Sequence, residues 1–137
     1  MYQTLVSYIK DMLESITELN YIYDYENPNI EGYPAVTISF TDSDVEEIDT
    51  GNNFRTFGFD ITVYQEIEKV GKGQSEGERI MRIILDKILE KFDKDITLGG
   101  NCIMCKPVPS TGGWVDKEML HRAAKIKVNC LVKINRG

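Results

Sequence analysis

The sequence predicts an α+β domain: an antiparallel, partly mixed β-sheet with two α-helices packed on one face. Three observations lead there. Two stretches repeat apolar residues at helical spacing, and five shorter runs read as strands. The order is helix, strands, helix, strands, not regular strand–helix alternation. No internal repeat and no long linker divides the 137 residues, so residues 1–137 are expected to form one domain.

The first helix is expected over "TLVSYIKDMLESITELN". Leu5, Ile9, Met12, Leu13, Ile16 and Leu19 trace one face, and Asn20 is a natural stop. "YIYDYE" alternates like a strand, and "NPNIEGYP" is a loop by composition. "AVTISF" places Val36, Ile38 and Phe40 on one face. "FRTFGFDITVYQ" is the longest strand signal. Phe57, Phe59, Ile61 and Val63 form its buried face; Thr56, Gly58, Asp60, Thr62 and Tyr64 form a wet or partner-facing one.

The second helix is expected over "SEGERIMRIILDKILEKF". Ser75 and Glu78 stand in capping-box spacing, and Ile80, Ile83, Ile84, Ile88 and Phe92 follow at helical intervals. Gly99 and Gly100 turn the chain. "CIMCKPV" reads as a short strand. "AAKIKVNCLVKI" alternates between Ala124, Ile126, Val128, Cys130, Val132 and Ile134 on one face and Lys125, Lys127, Asn129, Leu131 and Lys133 on the other.

Composition narrows the function. Hydrophobic residues make up 42% and charged residues 28%, the balance of a globular protein. Sixteen basic against 22 acidic residues give a net charge of -6, a poor basis for gripping nucleic-acid phosphates. No apolar run approaches the ~20 residues that cross a bilayer. Asp11, Glu14 and Glu18 interrupt the N-terminal apolar positions, so no signal peptide is expected. Three cysteines, an odd number, suit a reducing compartment better than a disulfide framework.

Cys102 and Cys105 form a C-x-x-C pair whose possible further ligands are only Cys130 and the single histidine, His121. On a strand, residues three apart face opposite ways, which argues against chelation or a disulfide. Pro107 and Pro109 argue against the helix that a thioredoxin-like motif needs. The three cysteines are therefore expected to pack as small hydrophobes, with no metal and no cofactor. His121 has no local nucleophile partner, and "VGKGQSEGE" has no Ser or Thr at the spacing a phosphate loop requires, while Glu76 and Glu78 would repel phosphate. No set of side chains converges as an active site, so an enzyme is not expected.

Taken together, "EGYPAVTISF", "FRTFGFDITVYQE", "LDKILEKFDKDITLGG" and the last alternating strand resemble the tail terminator, or tail-completion, proteins of long-tailed bacteriophages. The likeness in element order covers nearly the whole chain. It implies a subunit of a hexameric ring in the virion neck, made in the host bacterial cytoplasm. Such a ring caps the tail tube, stops its polymerisation and meets the head-side connector, while DNA passes through unread. The family offers no catalytic residue to transfer. Another phage neck or head-completion protein, or a non-viral ligand-binding or regulatory α+β domain, are the alternatives.

Charge placement suggests how copies could meet. Asp42, Asp44, Glu46, Glu47 and Asp49 lie in a stretch without a basic residue. Residues 122–137 carry Arg122, Lys125, Lys127, Lys133 and Arg136 without a carboxylate side chain. A head-to-tail contact between the two would steer association and fix its register. Tyr64 and Trp114 are candidate aromatic anchors of the same interface.

Overall fold

A computed structural model describes residues 1–41, 54–66, 72–110, 112–114 and 121–133. Its elements are α1 (Tyr2–Glu14), β1 (Tyr21–Tyr23), β2 (Ala35–Thr41), β3 (Phe54–Glu66), α2 (Lys72–Lys94), β4 (Met104–Pro109), β5 (Gly113–Trp114) and β6 (His121–Lys133). The expected α+β class is what the chain adopts. The strands lie in the order β1-β2-β3-β6-β4, and the two-residue β5 also pairs with β6. All pairs are antiparallel except β1 with β2. Residues 24–34 are long enough to return the chain for a parallel pairing, which a tight hairpin turn is not.

Both helices cover the same face. Leu5, Ile9 and Leu13 of α1 and Met81, Ile84, Ile88 and Phe92 of α2 are buried against alternate residues of the central strands. Those strand residues are Phe57, Phe59, Ile61 and Val63 of β3 and Ile126, Val128, Cys130 and Val132 of β6. Each such side chain contributes about 1.5–3 kcal/mol by leaving water. The alternation in the sequence thus identifies the buried face of both long strands.

Several boundaries differ from expectation. α1 stops at Glu14, yet Ile16 stays buried because the chain continues in short turns, Ile16 N–H donating to the Leu13 carbonyl. β1 ends at Tyr23, three residues before the expected limit. α2 begins at Lys72, so Ser75 is inside the helix and the expected capping box does not form its start. Glu78 instead meets Arg122 of β6 at 2.5 Å, linking α2 to the sheet. Phe40, expected with Val36 and Ile38 on the buried face, is 75% exposed. It lies near the end of β2, where the ring of Tyr2, in the first turn of α1, is its aromatic neighbour at 5.5 Å.

The turn between α2 and β4 is held by Asp95. Its carboxylate accepts from the Tyr8 hydroxyl of α1 and, at 3.0 Å, from the Gly99 N–H. The Tyr8 hydrogen bond, followed by the backbone one, holds the Asp95 carboxyl below its ordinary pKa. The chain passes through positive φ at Leu98, Gly99 and Gly100. At Gly99 (φ 66°) a Cβ would stand 2.7 Å from the Tyr8 ring. Gly99→Ala combines backbone strain with that clash and is expected to cost about 1–3 kcal/mol, read as a lowered thermal midpoint. Gly100→Ala meets no neighbouring atom and carries the backbone strain alone, so its cost is expected to be smaller.

Candidate functional site

The face of the sheet opposite the helices is built from the second set of alternating residues. Across it run the rows Ala35–Tyr64–Ala123, Thr37–Thr62–Lys125 and Ser39–Asp60–Lys127. No described helix lies on this face. Lys125 pairs with Asp60 at 3.5 Å, on the diagonal, while Lys127 stands directly across the ladder from Asp60. An ion pair this exposed contributes about 0–1 kcal/mol, so its value lies in orientation more than in stability. Towards β4 the face carries Met104, Lys106, Val108, Asn129 and Leu131. Met104 and Val108 are each more than two-fifths exposed. The Asn129 Oδ1 is buried and has no hydrogen-bond partner among the described residues. A buried acceptor left unmet costs about 1–3 kcal/mol, which a donor from a neighbouring molecule would recover.

The structure sorts the expected interface residues. Tyr64, Lys125 and Lys127 share the outer face. Arg122 has the opposite parity and reaches α2 through Glu78, so it is not part of the same surface. Trp114 is in β5, opposite Arg122 in the register. Asp42, Asp44, Glu46, Glu47 and Asp49 lie outside the described residues. Met104 and Val108 carry no surface signal in the sequence, where their run reads only as a short strand; Asn129 falls on the Lys125–Lys127 face, but nothing there marks its amide as an unmet acceptor.

The edge of β4 is closed. Its Cys105 N–H turns away from β6 and donates to the Ile96 carbonyl at 2.7 Å. Pro107 and Pro109 have the same strand parity and bring no N–H to that edge, a common protection against unwanted strand pairing.

The cysteines require a correction. Cys102 precedes β4 and sits in the turn, so the strand geometry that would send it away from Cys105 does not apply. Cys105 faces Cys130 across the β4–β6 ladder, and the Cys102 and Cys105 thiols donate to the Ile96 and Asp95 carbonyls at 3.7 and 3.9 Å. All three are free and buried within the core cluster, as hydrophobic packing requires. Among the described residues, no group of three or more His, Cys, Asp and Glu side chains is arranged to hold a metal ion. Burial is the first cause of a raised pKa at each thiol, and it pushes Cys105 up to about 12.

Raised thiol pKa values have a signed consequence. The folded state holds the protons more tightly than the unfolded state, so this stability is full below the unfolded thiol pKa near 9.0. It is lost as pH rises from there towards 12. Urea midpoints are expected to fall across that window, and more gently in Cys130→Ala than in the parent. A thiol-reactive aromatic disulfide is expected to label the native protein only as fast as it unfolds, because protonated buried thiols are poor nucleophiles.

Among the described residues no helix is long and apolar enough to cross a membrane. A scan against protein-family models finds no match, and a search of curated proteins finds none either.

Proposed function

We propose that the protein is a structural assembly subunit, a tail terminator that closes into a ring at the head-proximal end of a bacteriophage tail. In this reading it works in the virion neck. Its partners are copies of itself, the tail tube protein and the head-side connector, and it makes no base-specific contact with DNA. The observation that carries the reading is the outer sheet face. It presents Tyr64, Lys125 and Lys127 together, no described helix covers it, and it holds a buried acceptor on Asn129 that no described residue meets.

Surfaces of this kind suit contact between molecules. Aromatic anchors supply contact area, and charges set register. The acidic 42–49 segment of one subunit is the complement of a neighbour's Lys125 and Lys127. Repetition of one head-to-tail contact closes a ring when the rotation between copies permits it. The α+β fold agrees with the architecture that the resemblance implies.

Trp114 provides a test. Trp114→Ala is expected to shift the assembled species towards single subunits, seen by sedimentation, while the helical circular dichroism stays unchanged. Loss of the helical signal would instead assign Trp114 to the core, and unchanged assembly would remove it from the interface.

A further inference from the structure

Past the end of β1, the outer edge of β2 has no partner strand among the described residues. β1 pairs with β2 only as far as Tyr23 opposite Thr37. Beyond that point Ile38, Ser39, Phe40 and Thr41 pair with β3 on one side and with no described residue on the other. Residues 24–26 are not part of a strand and do not continue the ladder of β1 with β2. The gap is bordered by two cavities. One, of about 400 Å³, lies on the helix side and is lined by Tyr2, Val6, Tyr25, Ile38, Phe40 and Phe59. The other, of about 300 Å³, lies on the outer face and includes Thr37, Asp60, Thr62 and Lys125. Glu26 and Ser39 belong to both, so the cavities meet at the same stretch of β2.

That arrangement matches the needs of an added strand. Alternate backbone groups of a strand point towards each neighbour, so residues 38–41 offer donors and acceptors to the gap. Side chains of an inserted strand alternate between faces. Apolar ones would enter the aromatic cavity on the helix side, and polar ones the outer cavity. Glu26 lines both cavities and Asp24 only the helix-side one, while in the outer cavity Asp60 is paired with Lys125. Neither Asp24 nor Glu26 makes an ion pair among the described residues. Two unpaired carboxylates beside exposed aromatic rings favour a cationic guest.

We infer that this edge binds an extended segment of a partner protein in which apolar residues alternate with lysine or arginine. Backbone pairing gives affinity and the two cavities give the sequence preference, as in other strand-addition complexes. The outer cavity shares Tyr64 and Lys125 with the outer-face contact proposed above, but backbone pairing along residues 38–41 does not depend on ring formation.

The probe is a fluorescein-labelled acetyl-Lys-Val-Lys-Val-Lys-amide peptide, followed by anisotropy with the full chain. Saturable binding is expected, with slower deuterium exchange at residues 38–41. The peptide with Glu in place of Lys is expected to bind at least about tenfold more weakly. Asp24→Asn with Glu26→Gln is expected to weaken the basic peptide about tenfold, the scale of two exposed charge pairs, with unchanged circular dichroism. Equal binding of both peptides overturns the charge assignment. No binding, or protection elsewhere on the chain, overturns the site. Protection of 38–41 without peptide, growing with protein concentration, assigns the edge to a second copy and overturns the inference.

Discussion

Phe59→Ala is expected to destabilise the fold by about 3–5 kcal/mol, and Phe40→Ala by less than about 1 kcal/mol. The two residues face each other directly across the β2–β3 ladder. Phe59 is 1% exposed and belongs to the cluster with Ile38, Ile61 and Val128. Its removal loses the transfer energy of a ring and leaves a void that neighbours on two helices and a sheet can fill only in part. Phe40 is 75% exposed, and its principal aromatic neighbour is the likewise exposed Tyr2. Domains have only about 5–15 kcal/mol of stability in all, so the first variant is expected to show a large drop in urea midpoint and the second almost none. Equal losses would place Phe40 in the core. A large loss of basic-peptide binding in folded Phe40→Ala would fit its place in the helix-side cavity at the β2 edge.

The same pair shows what could be read from residues alone. Period-two alternation identified the buried faces of β3 and β6, because both strands are central and one side of each is fully covered. Helical spacing identified Leu5, Ile9 and Leu13, and Ile84, Ile88 and Phe92, for the same reason. The reading failed where tertiary context decides. Phe40 has core parity but lies where α1 begins, so the helix that covers its neighbours gives it little cover. Cys102 reads as a strand residue, but the turn from Asp95 continues past the two glycines, fixed by the Asp95 carboxylate just beyond α2 and a tyrosine from α1. The parallel pairing of β1 has no local signature at all.

The candidate site was half legible. Lys125, Lys127 and Tyr64 were separable from their buried neighbours by parity, and the fold brings them to one face. Arg122 shares their sign of charge and their strand but not their parity, and it is taken by Glu78. Charge counting along the sequence does not register that distinction; the two-residue period of the strand does. The open edge at 38–41 could not be foreseen, because it results from where β1 stops.

The second large effect concerns assembly. Lys125→Glu with Lys127→Glu reverses two charges on the outer face without touching the helix-side core. Both positions are on the solvent side of the sheet, and Lys125 is exposed. Loss of the Lys125–Asp60 pair costs the subunit little. In a ring the change recurs at every interface, where a carboxylate would meet the neighbour's acidic segment. Like charges brought together at an interface cost several kcal/mol, enough to shift dissociation by more than about a hundredfold. The double variant is expected to remain folded by circular dichroism and to lose the assembled state. High salt is expected to weaken the parent assembly in the same direction, since the contact is screened beyond about one Debye length.

Light scattering coupled to size-exclusion chromatography measures the mass that decides the matter. The subunit is 15.6 kDa. The account predicts a discrete species of ~six copies for the parent chain, and single subunits for Lys125→Glu with Lys127→Glu. A parent that elutes as 15.6 kDa at every concentration and at low salt would contradict it.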